Sequence, residues 1–445
     1  MLFFGCLPAA AHPKNVLLIT VDTLRADHIS CYGYSRRTTP HIDELASQGI
    51  RFSRAYTVIP LTGPAHLSLF TSRYPQEHGA VRNGTAPSDE RKYPALPQLL
   101  RRRGYQTAAF ISAWPLTARL THLDRWFDHY DENLNRRYQL FNSSRYAEDV
   151  TPPAIDWLKK HSGASKPFFL WVHYFDPHSP YDLRSAYANW PEGSAANPKE
   201  DSDRSERVRA YDSEIAYTDH HIGLLLKTLD DLGLRGSTLV ALLADHGESL
   251  GEHDYVGHGR HLFENIIRIP MIWRVPEAMS GAKVINTPVS ILDVTPTIMD
   301  LIAQTKSGSR RRTRFAGRSL AAALTGNTQL PVLPIRYVTF AGKKGFAPNW
   351  LSWLWVHEED LPSRFGRIKG NAKLVWSTED SQLASYDVAA DPLEIHPRML
   401  KPASSAYRIE TAGLKNWFEA TGGPAGSQTA SARDAEVLKS LGYVQ

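Results

Sequence analysis

Short, continuously apolar runs alternate along this chain with segments of helical pattern, and this alternation constrains the fold more than any other feature. A short run rich in β-branched residues is typical of a strand buried on both faces, as in parallel sheets. Such runs are residues 15–21 (NVLLITV), 167–175 (PFFLWVHYF), 237–244 (STLVALLA) and 268–275 (RIPMIWRV). Helical patterns between them, such as 151–161 and 207–233, predict a three-layer α/β/α sandwich with a mostly parallel central sheet.

The pattern of the chain changes at about residue 330. Shorter strand-like pieces (IRYVTFA, AKLVWS and LASYDV) and a helical segment near 405–419 predict a small C-terminal antiparallel subdomain. We therefore predict a large α/β domain over residues 13–328 and a smaller subdomain with a tail over 329–445. The stretch 182–206, rich in Ser, Asp, Asn and Pro, is predicted to be a long loop.

The first residues, MLFFGCLPAAAH, are apolar and end in small residues, which is typical of the end of a secretory signal peptide. We predict residues 1–12 to be the remnant of such a signal, and the protein to be exported to the periplasm or the extracellular space. A fraying N-terminal strand and a cytoplasmic location are the alternatives. Cys6 and Cys31 are the two cysteines, so the sequence implies no disulfide framework.

Charge and hydropathy exclude several classes of function. The 51 Lys and Arg residues are interspersed with 46 Asp and Glu residues, and the net charge is +5. One dense basic run, at 309–314, lies in a polar segment, and we interpret it as a solvated loop rather than a contact for an acidic polymer. The chain has no nucleic-acid motif and no apolar run long enough to span a membrane. We therefore expect neither a nucleic-acid partner nor a transmembrane segment.

Polar residues with metal-binding side chains follow three of the predicted strands. They are Asp22; His173, Asp176 and His178; and Asp245, His246, Glu248, His253 and His258. Each alone has a simpler interpretation, because an aspartate after a strand often caps a helix and a loop histidine is often a structural hydrogen-bonding group. Ligands of open α/β sheets bind at the carboxyl ends of the strands, so three such ends together predict a metal site. Carboxylates favour hard cations, and imidazole admits Mn²⁺ or Zn²⁺.

Thr62 precedes a proline-led helical run in the segment TGPAHLSLFTSRYPQEHG. A hydroxyl group there lies at the positive end of the helix dipole, where oxyanions bind. If its oxygen also reaches the metal, the proton is lost more easily and the alkoxide becomes a usable nucleophile. The simpler alternative is that Thr62 only caps the helix, a role that threonine fills well.

Seven segments of the chain resemble the sulfatase family of the alkaline phosphatase superfamily. They are NVLLITVDTLRADH, LTGPAHLSLFTSRYPQEHG, RNG at 82–84, DPHSPY, LLADHGESLGEHDYVGHGRHLFENIIRIP, YDVAADPLE and LKSLGYV. They follow the order of the family over nearly the whole chain. The resemblance implies an alkaline phosphatase-like fold for the predicted sandwich, with 13–328 as the catalytic domain, and it implies a metal-dependent hydrolase of anionic esters.

The resemblance also implies a set of metal ligands. Asp22 matches the first metal-binding aspartate, and Asp245 with His246 matches a later pair that is Asp-Asn in many sulfatases. Thr62 matches the position that is both nucleophile and metal ligand. Thr23 replaces the second aspartate of the usual Asp-Asp pair, so one anionic ligand is missing. We expect one divalent ion (Ca²⁺, Mn²⁺ or Zn²⁺), held by Asp22, Thr62, Asp245 and His246.

Four further residues receive catalytic roles from the resemblance. His66 stands where sulfatases carry an arginine, and Asn83 matches an asparagine that stabilises the substrate oxyanion in phosphodiesterase-like and phosphonate-hydrolase members. His178 matches an anion-contacting histidine. His258 stands where sulfatases have a lysine or histidine against the sulfate or the leaving group, and it is the candidate general acid. The loop at 182–206 is expected to shape specificity.

Threonine at position 62 changes the chemistry that the family implies. Sulfatases convert a cysteine or serine there to formylglycine, and Thr62 with His66 in place of arginine should not undergo that conversion. Threonine offers a single oxygen, so a sulfo-threonine intermediate must be hydrolysed by water. Hydrolysis of a phospho-threonine intermediate is ordinary phosphatase chemistry. No formylglycine is therefore expected.

Three hypotheses follow from these residues. The first is a sulfuric ester hydrolase with a Thr62 nucleophile, acting on a small-molecule, saccharide or lipid ester. The second is a phosphodiester or phosphonate monoester hydrolase, or a phosphotransferase, on the same residues. The third is a binding protein that retains the metal site without turnover. Except for formylglycine formation, each catalytic role still has a competent residue, which favours an enzyme.

Overall fold

The computed structural model describes residues 14–89, 91–138, 141–188, 202–276, 282–303, 315–326, 328–341 and 362–422. Four predicted features lie wholly or partly outside these residues: the signal remnant at 1–12, the basic run at 309–314, the middle of 182–206 and the terminal LKSLGYV. Within 182–206, Ser185–Tyr187 form a short 3₁₀ helix, and a long helix has already begun at Ser202. The predicted loop therefore ends before Ser202.

The strands of the described residues form a large central sheet, a smaller C-terminal sheet and two short hairpins. In chain order they are β1 (Asn15–Val21), β2 (Ile50–Tyr56), β3 (Gln106–Phe110), β4 (His129–Asp131), β5 (Arg136–Tyr138), β6 (Phe141–Ser144), β7 (Phe168–Tyr174), β8 (Thr238–Ala244), β9 (Ser249–Leu250), β10 (Val256–Gly257), β11 (Arg268–Arg274), β12 (Lys283–Ile285), β13 (Val289–Ser290), β14 (Ile335–Thr339), β15 (Arg364–Lys369), β16 (Ala372–Ser377), β17 (Gln382–Asp387) and β18 (Arg398–Leu400).

The central sheet has nine strands in the order β12-β2-β11-β8-β1-β7-β3-β4, with β13 also paired to β2. Six of its strand pairs are parallel, and the two pairs made by β11 are antiparallel. With helices on both sides, this sheet confirms the predicted α/β/α sandwich.

The three innermost strands determine where polar residues meet. Every residue of β1, β7 and β8 is buried, as expected for apolar strands covered on both faces. Val21, the last residue of β1, is level with Tyr174 of β7 and Ala244 of β8. The residues that follow these strands therefore emerge side by side at the carboxyl edge of the sheet.

The helices agree with the predicted segments, with shifts at their ends. They are α1 (Pro40–Ser47), α2 (Thr62–Thr71), α3 (Pro75–His78), α4 (Leu96–Arg101), α5 (Ala118–Thr121), α6 (Ala147–His161), α7 (Ser202–Asp231), α8 (Glu264–Ile267), α9 (Val294–Leu301), α10 (Ala321–Thr325) and α11 (Ser405–Ala420). Helix α6 starts earlier than the predicted residue 151, because the Ala147 N–H donates to Asp176 Oδ2 at 3.0 Å. The carboxylate of Asp176, which is distant in the sequence, thus accepts a hydrogen bond at the start of α6, where negative charge is favourable.

The C-terminal part contains the predicted antiparallel sheet, with five strands in the order β14-β15-β16-β17-β18. Helix α11 packs on it, and Phe418 meets Phe365 at 5.6 Å between ring centroids. Both phenylalanines belong to the same buried core as the central sheet. The Val338 N–H also donates to Val58 O at 2.9 Å, so the two sheets are joined by hydrogen bonding as well as by packing.

Candidate active site

Asp22, Asp245 and His246 meet at the carboxyl ends of β1 and β8. All three side chains are fully buried, and their ligand atoms lie within 4.8 Å of one another. His246 Nε2 lies 3.8 Å from Asp22 Oδ1 and 3.5 Å from Asp245 Oδ2. The level register of β1 and β8 brings about this meeting of residues that are far apart in the sequence.

The tautomer of His246 follows from its neighbours. Its Nδ1 lies 3.0 Å from the carbonyl oxygen of Gly247, which can only accept a hydrogen bond, so Nδ1 carries the hydrogen. The lone pair of Nε2 therefore faces the two carboxylates. Asp22 Oδ1 and Asp245 Oδ2 are buried and have no hydrogen-bond partner. Three electron-rich atoms that face one another without donors are suited to a divalent cation.

Thr62 is the first residue of α2, and its hydroxyl group is directed at the same cluster. Thr62 Oγ lies 3.5 Å from Asp22 Oδ2 and 3.5 Å from His246 Nε2. The N-cap position belongs to Leu61, and no side-chain cap bond is made there. The capping interpretation of Thr62 therefore does not describe this site.

Thr23, at the position of the missing aspartate, has an unusual backbone conformation. Its φ of 53° places a β-branched residue in the left-handed region, which is uncommon and marks local strain. Its N–H donates to Asp245 Oδ1 at 3.3 Å, and its carbonyl accepts from Tyr211 Oη at 2.7 Å. The Thr23 backbone thus contacts the carboxylate of Asp245.

Asn83 contacts the first turn of α2. Its Oδ1 accepts the Gly63 N–H at 2.8 Å, which fixes the orientation of the amide group. A Cβ atom on Gly63 would lie 3.2 Å from Asn83 Oδ1 and 3.4 Å from the carbonyl oxygen of Pro115. Glycine at 63 therefore permits the close approach of Asn83 to the residue that follows Thr62.

His66 lies beneath Thr62, on the core side of the cluster. Its Nδ1 is 2.8 Å from the carbonyl oxygen of Thr62, and its Nε2 is 3.1 Å from Thr20 Oγ. The same Nδ1 lies 3.8 Å from Asp245 Oδ2. Burial lowers the pKa of His66, which favours the neutral imidazole. The structure thus brings His66 to the nucleophile's backbone and to the carboxylate cluster.

His178 and His258 lie beside His246 in the site. Their rings are 5.1 Å apart, and the His258 ring lies 4.4 Å from that of His246. Burial, reinforced by His258, lowers the pKa of His178 to about 3. Burial and the neighbouring His246 also lower the pKa of His258. Both rings are therefore neutral near pH 7 until negative charge enters the site.

Two buried residues that the sequence indicates as potential metal-binding residues at strand ends, without a specific ligand or catalytic role, join this cluster. Glu248 Oε1 lies 3.1 Å from His258 Nδ1, which orients that ring, and burial raises the pKa of Glu248. His173, in β7, places Nε2 at 3.8 Å from Asp22 Oδ2. The sequence signal for Glu248 is its position in the ADHGE segment after β8. His173 sits inside an apolar strand, where a buried structural histidine is the simpler interpretation.

Electrostatics disfavour ionised carboxylates in this cluster when no cation is bound. Burial raises the pKa of Asp22 well above its ordinary value, and the nearby carboxylates of Asp245 and Glu248 raise it further. Such a group is costly to ionise unless a cation or a set of donors compensates. The arrangement therefore favours a bound cation over an empty set of carboxylates.

Comparison with known proteins agrees with this geometry. The Sulfatase family model matches residues 14–304. A relative named N-acetylglucosamine-6-O-sulfatase, from Bacteroides thetaiotaomicron, is 23% identical over 485 aligned positions, covering 86% of this chain and 82% of the relative. The chain therefore belongs to the sulfatase family, which confirms the resemblance seen in the sequence. It is a sulfatase-like ester hydrolase.

Solved structures show the same fold. A structure described as a complex with its substrate D-glucosamine-2-N,6-O-disulfate superposes with a TM-score of 0.68 at 20% identity, covering 92% of this chain and 97% of the other. The phosphonate monoester hydrolase of Agrobacterium radiobacter superposes with a TM-score of 0.65 at 18% identity, covering 94% and 97%. The alkaline phosphatase-like architecture is thus shared by proteins named for sulfate esters and for phosphonate esters.

Proposed function

We propose that this protein hydrolyses a sulfuric ester with Thr62 as nucleophile and one divalent metal ion held by Asp22, Asp245 and His246. The observation that carries the proposal is the position of Thr62 Oγ, 3.5 Å from both Asp22 Oδ2 and His246 Nε2. A hydroxyl group at the start of a ten-residue helix, facing atoms that could bind a metal ion, supports a nucleophilic role for Thr62.

The donor set supports such an ion. Nitrogen and oxygen ligands about 2.0–2.2 Å from a tetrahedral Zn²⁺ lie roughly 3.3–3.6 Å apart. The His246 Nε2 distances to Asp245 Oδ2 and Thr62 Oγ are both 3.5 Å, and the distance to Asp22 Oδ1 is 3.8 Å. Two carboxylates with one imidazole would neutralise a divalent charge, and the ion would supply Lewis-acid stabilisation of negative charge.

In the first half of the reaction, Thr62 Oγ forms a bond to the sulfur atom of the ester. The bond from sulfur to the leaving oxygen breaks, and His258 donates a proton to that oxygen. The hydrogen of the Thr62 hydroxyl group faces Asp22 Oδ2, which accepts it. The anionic ester and the Glu248 carboxylate supply the negative charge that a protonated His258 requires.

In the second half, water attacks the sulfur atom of the Thr62 ester. Neutral His258 accepts a proton from that water, sulfate leaves, and Thr62 regains its hydroxyl hydrogen. The second hydrogen of the water leaves with the product, so the sum is one sulfate ester anion and one water converted to one alcohol and one hydrogensulfate ion. Threonine requires this hydrolytic step because it lacks the second hydroxyl group of a formylglycine hydrate.

The remaining predicted residues have supporting roles in this proposal. The Asn83 side-chain amide would stabilise the developing oxyanion charge. His178, in ring contact with His258, would contact the anion. His66 holds the Thr62 carbonyl group at 2.8 Å and so positions the nucleophile from below.

A second activity, phosphodiester or phosphonate monoester hydrolysis, is favoured by the single oxygen of Thr62. Attack of water on a phospho-threonine needs no second hydroxyl group on the enzyme. The fold neighbours include phosphonate monoester hydrolases, which supports the same residues acting on phosphorus.

For the substrate we propose a sulfated saccharide. The relative named N-acetylglucosamine-6-O-sulfatase and the fold neighbour bound to a disulfated glucosamine support this class. Export remains a prediction, because it rests on residues 1–12. None of the helices in the described part of the chain combines the length and apolar character that a membrane span requires.

The test is an assay of the purified protein on 4-nitrophenyl sulfate, bis-(4-nitrophenyl) phosphate and a phosphonate monoester, each with Mn²⁺, Ca²⁺ and Zn²⁺. We expect sulfate ester turnover that Thr62→Ala abolishes. Thr71→Ala is the matched control, because Thr71 is a buried threonine of the same helix whose hydroxyl group bonds to the Leu67 carbonyl. Mass spectrometry of the peptide that contains Thr62 should show an unmodified residue at rest.

Other outcomes would change the proposal. Phosphorus ester turnover without sulfate ester turnover would establish the second activity in its place. Formylglycine at position 62 would contradict the mechanism. Absence of turnover on every ester with every metal would favour the binding protein.

A further inference from the structure

A second group of potential metal ligands lies on the core side of the proposed metal centre. His66, His173 and Asp245 are fully buried, and their ligand atoms lie within 4.8 Å of one another. His66 Nδ1 is 3.8 Å from Asp245 Oδ2, and the two imidazole rings are 5.0 Å apart. The group shares Asp245 with the first centre but contains neither Thr62 nor His246.

Unsatisfied atoms mark this position as well, and one of them, Asp245 Oδ2, is shared with the first centre. His173 Nε2 and Asp245 Oδ2 are buried without a hydrogen-bond partner. The His173 nitrogen also lies 3.8 Å from Asp22 Oδ2, so it faces carboxylate oxygen rather than a donor. Buried polar atoms are nearly always hydrogen-bonded, and a cation explains such an arrangement directly.

In each histidine, the ring nitrogen that would not bind the metal has the hydrogen-bond partner that a metal-bound histidine requires. A ligating imidazole almost always gives its other N–H to an oxygen atom, which fixes the ring. His66 Nε2 lies 3.1 Å from Thr20 Oγ, and His173 Nδ1 lies 3.4 Å from Ser112 Oγ. The Ser112 hydroxyl group is itself bonded to the His173 carbonyl, so its oxygen can accept from the ring.

Thr20 makes either tautomer of His66 acceptable. Its Oγ accepts the Trp171 Nε1 hydrogen at 2.8 Å and can either donate to His66 Nε2 or accept from it. In the structure as it stands, His66 Nδ1 can donate to the Thr62 carbonyl group. When Nδ1 binds a cation, ligation replaces that bond and the proton resides on Nε2, facing Thr20. The hydrogen bond by which His66 positions Thr62 then belongs to the state with one ion.

We infer that His66, His173 and Asp245 form a second cation position, adjacent to the proposed centre and sharing Asp245 with it. Two imidazoles and one carboxylate suit Zn²⁺ or a similar borderline divalent ion better than Ca²⁺, which takes six or more oxygen ligands. The proposed ester hydrolysis requires one ion only, so this position goes beyond it. The chain would then hold two ions, and the ion between His66, His173 and Asp245 would be bound mainly by nitrogen.

The test is metal stoichiometry of the full chain, independent of turnover. Metal-depleted protein is dialysed against Zn²⁺ and, in parallel, Ca²⁺, and bound metal is measured by elemental analysis. We expect about two zinc ions per wild-type chain and about one per His173→Gln chain. His78→Gln is the control and should retain about two, because His78 is a buried histidine bonded to Ser68, outside both groups.

Anomalous diffraction at the zinc edge of wild-type crystals identifies the positions without any variant. Two neighbouring peaks, one between His66, His173 and Asp245, support the inference. A single peak that contacts His246 but not His173 would overturn it while leaving the proposed function intact. If His173→Gln fails to fold by circular dichroism, His66→Gln is measured instead, and unchanged zinc content in the folded variant would also overturn the inference.

Discussion

Asp22 and Asp212 are two fully buried aspartates of this molecule, and their surroundings differ in one respect. Asp212 Oδ1 lies 2.6 Å from His28 Nδ1, and its Oδ2 accepts from Tyr34 Oη at 2.6 Å and Arg36 Nη1 at 2.8 Å. Asp22 Oδ2 has a long hydrogen bond of 3.5 Å with Thr62 and lies 3.8 Å from His173 Nε2, and Oδ1 has no hydrogen-bond partner. Burial is common to both aspartates, but the protein satisfies only one of them.

The difference distinguishes a buried carboxylate that stabilises the fold from one that is kept for binding a ligand. A buried carboxylate with a complete set of donors stabilises the arrangement that satisfies it. A buried carboxylate without donors costs free energy, and it persists where the protein binds something that supplies the missing charge. Asp212 joins α7 to the segment after β1, whereas Asp22 faces the proposed metal centre. This contrast can be tested by substituting each residue.

The largest expected effect is on turnover. Asp22→Asn should lower kcat/KM for the cleaved ester by at least about 10³-fold, which is about 4 kcal/mol in the activation barrier, because it removes a proposed metal ligand. Without metal, the free energy of unfolding should be unchanged or higher, because an unsatisfied carboxylate is lost. Steady-state kinetics and denaturant unfolding measure the two quantities.

Asp212→Asn should have the opposite effects, a lower free energy of unfolding with little change in turnover. The substitution removes the buried carboxylate charge that pairs with Arg36 and should lower the free energy of unfolding by about 3 kcal/mol. The kcat of the folded fraction should change by less than about tenfold, because Asp212 contacts none of the proposed catalytic groups. The contrast would fail if Asp22→Asn without metal lost as much stability as Asp212→Asn, or if Asp212→Asn lost as much turnover as Asp22→Asn.

A matched control exists on the same helix. Asp231 is also in α7, and its side chain is 62% exposed in an ion pair with Lys227. Exposed pairs of this kind contribute little, so Asp231→Asn should change the free energy of unfolding by less than about 1 kcal/mol. Urea unfolding of the three variants at one pH gives the comparison directly.

Metal binding should supply the positive charge that the buried Asp22 carboxylate lacks, and so stabilise the folded protein. At about 100 times the dissociation constant, Zn²⁺ or Mn²⁺ should raise the free energy of unfolding of wild-type protein by about 2.7 kcal/mol. Asp212→Asn should show the same gain, because its metal ligands are intact, and Asp22→Asn should show little of it. Thermal unfolding with the metal and with a chelator measures the difference. An equal gain in both variants would place the metal elsewhere.

The sheet and its active edge could be predicted from the sequence because they depend on local pattern. Apolar runs predicted β1, β7 and β8, and strand ends in a parallel sheet meet at one edge, which brings Asp22 and Asp245 together. Helix α2 was placed near Thr62 by the same reasoning. The predicted start at Pro64 is two residues later than the observed start at Thr62, because a threonine before a proline-led run fits both the N-cap and the first helical position.

The remaining features depend on contacts between distant segments. His173 is flanked by the buried residues Val172 and Tyr174, so nothing local separates it from the core, and its role depends on how β7 lies beside β1. The early start of α6 depends on Asp176, which follows a different strand. Strand β11 is antiparallel to β2 and β8. Its orientation cannot be predicted from its composition, because a buried strand has the same apolar pattern in either orientation.

Apart from the Asp231→Asn control, the smallest expected effect concerns Glu252, a carboxylate that is paired as Asp212 is. Burial acts to raise the pKa of Glu252, but Arg25, at 2.8 Å, outweighs it and lowers the pKa to about 2. Because the folded-state pKa lies below the unfolded one, the pair contributes stability above about pH 5, and this contribution is lost as the pH falls towards about 2. The side chain is 18% exposed, so we expect about 2 kcal/mol rather than the full value of the shift.

Glu252→Gln isolates this contribution because it keeps the shape of the side chain and removes the charge. Wild-type protein should be the more stable of the two by about 2 kcal/mol at pH 7, and the difference should shrink towards zero near pH 2.5. Urea unfolding at a series of pH values measures it, and Asp231→Asn, with its exposed pair, should show a much smaller change. A difference between wild-type and Glu252→Gln protein that does not vary with pH would mean that the Arg25 pair contributes through packing rather than charge. The carboxylates that the protein itself satisfies would then differ from Asp22 in geometry alone.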